Sequence, residues 1–233
     1  MEKREIIKII QECAIKYKNN LANKNILFIY YNKNKIEYIE TKFLPSNFLH
    51  LTGIKYQRES NNNAIKFYKD ILDKKVSIKN LEISNKETLK LKLNVLNMIL
   101  DINYSAKMIG EFSLNVKNLL ITEKIVGTNI YSMGFIKIGQ YYIPNTTLKE
   151  DIRNITNATN RIVAIFSKDI KERQYSNLTY IDRKTGLWQI FKNKEIIDKI
   201  NIEKLYSNNT NFNEKIKEFL EKTIDKLYKN KLY

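Results

Sequence analysis

His50 is the sole histidine of the chain, so any imidazole chemistry must happen within Phe48-Leu49-His50-Leu51-Thr52-Gly53. An imidazole gives or takes protons near neutrality and can act as general acid or base. A lone histidine among apolar neighbours can equally be structural, bonded to a backbone carbonyl. Thr52 can orient the ring or bind a phosphate oxygen, and Gly53 suits a turn. A second candidate is Lys124, within Thr122-Glu123-Lys124-Ile125-Val126-Gly127-Thr128-Asn129. Its ammonium could stabilise charge on a pentavalent phosphorane or, with a lowered pKa, donate a proton. Glu123 beside it is a candidate base, and either residue could also be a solvated surface charge.

The third stretch is Tyr141-Tyr142-Ile143-Pro144-Asn145-Thr146-Thr147. Thr147-Leu148-Lys149-Glu150 has the spacing of a capping box and predicts a short helix after Pro144. Its N-terminal N–H groups could receive a phosphate, with Asn145, Thr146 and Thr147 adding side-chain bonds. Plain capping by Thr147 accounts for the same pattern. Tyr142 and Tyr141 could stack on bases, although neighbouring strand residues face opposite ways and one should be core. Fourth, Ser167 and Lys168 follow the apolar run Ala164-Ile165-Phe166 and would emerge at a strand end. Trp188 is expected in the core.

Composition narrows the chemistry. One histidine and one cysteine exclude a zinc site of the usual kind. The six glycines lie far apart and form no phosphate loop of standard spacing. No metal or cofactor is therefore expected, with a carboxylate-only magnesium site the one alternative left open. The net charge of +16, from 41 Lys and Arg against 25 Asp and Glu, calls for an anionic partner, nucleic acid foremost. The lysines are dispersed, and abundant Asn, Ile and Tyr would accompany biased codon usage, so charge alone does not decide the partner. Cys13, with apolar flanks, reads as a buried thiol. The absence of a long apolar run and the mixed-sign N-terminus point to a cytoplasmic chain without membrane contact.

The elements that would position these residues follow from periodicity. Residues 2–22 read as a helix with Ile6, Ile10, Cys13, Tyr17 and Leu21 on one face. Ile26–Tyr31 and Ile36–Glu40 read as a hairpin about Asn32-Lys33-Asn34. Ser60–Asn63 supplies caps for a helix to about Leu72. Ser84-Asn85-Lys86-Glu87 opens the strongest helix, to about Ile102, with stripes Leu89-Leu93-Leu96-Leu100 and Leu91-Val95-Met98-Ile102. Strands are expected at 111–115, 119–123, 129–138, 140–143, 161–167 and 177–182, with turns at Gly127 and Gly139. After Gly186, helices return at 194–200 and 212–228, joined by the polar run Ser207–Asn211. Helices followed by a mostly antiparallel sheet of about four or more strands, then C-terminal helices, make an α+β protein. The division expected is an N-terminal helix (1–25), a central domain (26–185) and a C-terminal helical extension (186–233).

Several of these stretches occur in a familiar order. Phe48-Leu49-His50-Leu51-Thr52-Gly53 is followed by Ala64…Phe67-Tyr68, the long helix, Met108-Ile109-Gly110 and Lys124…Gly127-Thr128-Asn129. Gly134-Phe135 and Tyr142-Ile143-Pro144-Asn145-Thr146…Asp151 come next. Over residues 26–182 this resembles the fourth family of phage-associated barnase–EndoU–colicin–RelE-like ribonucleases. The resemblance implies a helical N-terminal part, a four-stranded antiparallel sheet and metal-independent RNA cleavage. It carries His50, Lys124, Thr146 and Lys168 over as active-site members; the substrate contacts expected, from the residues themselves, are Thr52, Asn145, Thr147 and Tyr142. Relatives with two histidines cannot be copied here, so the second proton-transfer role falls to a Lys, Glu or Tyr, or to nothing. The expectation is a phage-associated or toxin-like endoribonuclease. RNA is its partner, with an inhibitor or antitoxin protein as a second. The rival reading is a non-catalytic RNA- or DNA-binding module on the same scaffold.

Overall fold

The computed structural model describes residues 2–57, 63–113, 122–182, 184, 187–208 and 214–229. Four helices surround the first half of the chain: α1 (Lys3–Asn20), α2 (Asn47–Thr52), α3 (Asn63–Leu72) and α4 (Lys86–Ile99), with the short α5 (Ile102–Ser105) after them. The strands are β1 (Lys24–Asn32), β2 (Lys35–Phe43), β3 (Lys55–Tyr56), β4 (Leu81–Glu82), β5 (Met108–Phe112), β6 (Lys124–Gly127), β7 (Ser132–Ile138), β8 (Tyr141–Leu148), β9 (Thr156–Asp169) and β10 (Asn177–Ile181). A one-turn α6 (Ile152–Ile155) separates β8 from β9. The chain then adds α7 (Leu187–Ile190), α8 (Lys194–Ile197), α9 (Ile202–Asn208) and α10 (Glu214–Lys229). The protein is α+β, as the sequence predicts.

The sheet has eight strands in the order β1-β2-β8-β7-β6-β5-β9-β10, wider than the four that the family resemblance implies. Two of the eight are the N-terminal hairpin, which closes the sheet. β1 pairs with β2 and also, along Lys24–Tyr30, with the second half of β9, so the pairings return on themselves from β9 through β1 and β2 to β5. All neighbours are antiparallel except β2 and β8, which meet in parallel at Thr41 and Tyr142.

β1 and the second half of β9, from Ile162, are buried on both faces, which is why each reads as a nearly continuous apolar run rather than an alternation. Ile26, Phe28 and Tyr30 of β1 join α1–α4 in one core. Leu27 and Ile29 face a second core, with Val163, Ala164 and Phe166 of β9 and Leu187, Ile190, Leu205 and Leu220 of the C-terminal helices. α1 buries Ile6, Ile10, Cys13 and Tyr17, the helical spacing expected. Burial pushes the Cys13 thiol up to about 11, which leaves it an inert packing residue at neutral pH. No described helix is long and apolar enough to cross a membrane.

Several sequence expectations shift. Asn85, not Ser84, caps α4, accepting from the Thr88 N–H at 2.9 Å. The helix expected to run on to Ile102 stops at Ile99, and of the second stripe Leu91 and Met98 lie exposed. Pro144–Thr147 lies inside β8 rather than before a helix. The register slips between Gly134 and Phe135, and such an irregularity is where a sheet tolerates a proline. The helix that follows is α6, capped by Asp151, not Thr147. Trp188 is 48% exposed and not core. Thr122 and Glu123 precede β6 rather than forming a strand. Residues 60–62, 114–121, Gly186 and 209–211, on which other expectations fall, lie outside the described residues.

Two glycines separate crowding from backbone strain. A Cβ on Gly127 would stand 2.4 Å from the Tyr131 carbonyl oxygen and 2.7 Å from Ser132 Cα, both backbone atoms that cannot swing aside. Gly139 has φ +61° and open space around it. Gly127→Ala should therefore cost about 1–3 kcal/mol or more through overpacking. Gly139→Ala should cost roughly 1–2 kcal/mol, the left-handed penalty alone. Urea denaturation of the two variants tests this order.

Candidate active site

The stretch that carries His50 is α2, a helix of 6 residues. So short a helix leaves its last carbonyls without intrahelical partners. Here three consecutive ones are taken by side chains from three segments. The Thr52 hydroxyl donates to Leu49 O (2.7 Å), the Lys92 ammonium to His50 O (a long 3.4 Å) and the Thr147 hydroxyl to Leu51 O (3.0 Å). Thr52 Oγ1 in turn accepts from the Ile54 N–H at 3.3 Å. Gly53 ends the helix at φ +77°, the left-handed conformation glycine adopts without penalty. Its missing Cβ also makes room for Lys92, whose Cδ would lie 2.7 Å from that atom.

At the other end of α2, Asn47 Oδ1 accepts from the Leu44 N–H at 2.7 Å. Phe48, Leu49 and Leu51 are buried in the first core, the Phe48 ring lying 5.2 Å from that of Tyr17. His50 alone of this run faces solvent. The Leu-Thr-Gly after it is thus a device that fixes the backbone under an exposed imidazole.

Lys124 opens β6 opposite Glu111 of β5 and forms an ion pair with it at 2.9 Å. That hydrogen bond and charge hold the Glu111 carboxyl below its usual range. On its other side Lys124 pairs with Phe135, a member of the core on which α2 packs. Cross-strand partners share a face, so Lys124 lies on the side of the sheet against which α2 packs. Glu123 is engaged by the Lys137 N–H at 3.0 Å. Tyr142 is half-buried against the same core.

Thr146 and Thr147 face opposite ways. Thr147 pairs with Met133 and reaches α2. Thr146 is buried against Gly134 and Thr122, on the face of Ile125. Asn145 donates to Thr122 Oγ1 at 3.2 Å. Thr146 lies within β8, so no helix start presents its N–H groups beside it. Thr52 and Thr147, expected as substrate contacts, are buried, and their hydroxyls serve backbone carbonyls. Thr128, which the sequence marks as a turn former, does form one, accepting from the Ile130 N–H at 3.1 Å.

Lys168 lies elsewhere. It pairs with Asn25 on β1, two residues from Leu27, on the face covered by the C-terminal helices. Only 7% exposed, it donates to Arg173 O (2.6 Å) and stands 4.5 Å from the centre of the Tyr175 ring. The Tyr175 hydroxyl and the Lys199 ammonium both donate to Glu40, at 2.9 and 2.6 Å. Burial lowers the Lys168 pKa, with Glu40 opposing. This network ties β2, β9 and the C-terminal helices together. The structure thus puts Lys124 on the side of the sheet against which α2 packs, and Thr146 and Lys168 on other faces.

Lys92 is the residue that sequence reasoning missed. It is one cation among 41, on the half-buried edge of an amphipathic helix, and only the three-dimensional contact marks it. Among the described residues, no three His, Cys, Asp or Glu side chains gather to hold a metal.

A family model described as phage-Barnase-EndoU-ColicinE5/D-RelE like nuclease4 matches residues 9–184, from within α1 to just beyond β10. No curated protein and no solved structure matches the chain. The match takes in the His50 helix, its clasp from α4 and β8, and the whole sheet, and leaves out the C-terminal helices: the chain belongs to this family of nucleases.

Proposed function

We propose that the chain is an endoribonuclease that cleaves RNA without a metal ion. The observation that carries the reading is the single exposed imidazole on a helix end clasped from two sides, in a chain of a nuclease family. RNA contains its own nucleophile. Attack of the 2′-hydroxyl on the adjacent phosphate needs only proton transfer and charge stabilisation, which imidazole and ammonium groups supply. DNA cleavage would require an activated water or a side-chain nucleophile in addition. The net charge of +16 suits a polyanion.

His50 transfers the proton in this reading and Lys124 faces the phosphate. The Glu111 side chain is 73% exposed, so its ion pair with Lys124 is worth little and exchanges readily for a phosphate oxygen. Lys168 holds the far face together and takes no part in the reaction.

The purified chain should cut single-stranded RNA in excess chelator, leaving a 2′,3′-cyclic phosphate. His50→Ala should lose about 100-fold or more of the rate, the usual contribution of a general acid or base. RNA left intact, cleavage abolished by the chelator, or an unchanged rate in His50→Ala would overturn the proposal.

The clasp makes a second prediction. Thr147→Val keeps the shape but leaves the buried Leu51 carbonyl unpaired, at a cost of about 1–3 kcal/mol. It should also lower kcat, whereas Thr146→Val, on the other face, should leave kcat unchanged. Denaturant titration and steady-state kinetics of both variants test the distinction.

A further inference from the structure

We infer that Lys92 is the second proton-transfer residue of the His50 site, the group that protonates the leaving 5′ oxygen. The inference rests on the ribonuclease reading above and goes beyond it by naming the partner that a lone histidine lacks. Two independent features of the structure support it. The first is placement: the Lys92 ammonium lies on the His50 carbonyl, and its methylenes lie across Gly53, where any side chain would displace them. The second is the absence of a counter-ion among the described residues. Lys16 pairs with Asp101, Lys124 with Glu111 and Lys199 with Glu40. Among the described residues, Lys92 bonds only to a neutral carbonyl.

Burial lowers the Lys92 pKa, so its proton leaves more readily than that of a solvated lysine. The groups around it do not reverse this. α2 brings His50. Of the titratable groups on β8, Tyr141 lies against Lys42, and Tyr142 couples to Tyr30. From α1, Lys16 is engaged with Asp101, beyond the far end of α4.

The step balances with these two groups. Neutral His50 takes the proton of the 2′-hydroxyl as the O2′–P bond forms. The Lys92 ammonium gives a proton to O5′ as the P–O5′ bond breaks. A 2′,3′-cyclic phosphate and a 5′-hydroxyl leave, and solvent restores both protonation states.

The test uses the full chain, a single-stranded RNA that it cuts, and the same RNA with sulfur replacing the 5′ oxygen at the cut bond. A thiolate leaves without a proton. Lys92→Met, which keeps the packing on Gly53, and Lys92→Arg, which keeps the charge but holds its proton, should each lose about 100-fold on the oxygen substrate. Both should recover most of the wild-type rate on the sulfur substrate, while His50→Ala should not. Thermal melting shows whether each variant is folded. Wild-type activity in Lys92→Arg, or equal losses on both substrates, would overturn the role of Lys92 while leaving the ribonuclease reading intact. A wild-type chain inert on both RNAs would overturn the two together.

Discussion

Three backbone carbonyls at the end of α2 organise this molecule. A helix of 6 residues has hardly begun to satisfy its own acceptors before it stops, and Leu49 and Leu51 are buried. An unpaired buried carbonyl costs roughly 1–3 kcal/mol, so the helix end forms only where donors are brought to it. One donor is local, the hydroxyl of Thr52. The others belong to Lys92 on α4 and Thr147 on β8, remote in sequence. The helix layer and the sheet therefore have to assemble correctly before His50 is held. The core beneath, with Phe48, Tyr17, Phe67 and Tyr68 in mutual ring contact, fixes the other side of the same turn.

Closure of the strands from β9 through β1 back to β5 gives the molecule two unlike faces. One carries α1–α4 and the His50 end of α2, with the Lys124–Glu111 pair on the same side. The other is sealed by the C-terminal helices, clamped by a network from the buried Lys168 and Tyr175 to the half-buried Glu40 and Lys199. A half-buried pair tied on both sides by hydrogen bonds fits a structural clasp better than an exchangeable binding site. The family match ends at residue 184, before the helices that this network holds. They lie outside the residues that the family model matches and share a core with β1 and β9.

Much of this was legible in the sequence. The amphipathic spacing of α1 and α4, the apolar runs of β1 and β9, and the turn at Gly139 all follow from local rules. His50, Thr52 and Gly53 draw attention by residue type, but nothing in them predicts the helix α2 that carries them. The failures are equally physical. Thr147-Leu148-Lys149-Glu150 has capping-box spacing, but pairing with β7 overrode that local preference and turned Thr147 toward α2. Thr146 was placed at the site by resemblance, yet the alternation of a strand sends it to the opposite face from its neighbour. Trp188 shows the limit of assuming that a large aromatic is buried. Lys92 could not have been singled out, because a lysine becomes special only through what lies beside it.

The central claim, that the clasped end of α2 is where RNA is cut, is tested most directly by a crystal structure with an oligonucleotide whose 2′-hydroxyl is replaced by hydrogen at the cut position. A phosphate should lie within about 3 Å of the His50 imidazole, in reach of Lys92 and on the Lys124 side of the sheet. A phosphate bound instead at Lys168, on the face of the C-terminal helices, with the His50 ring left in solvent, would contradict it.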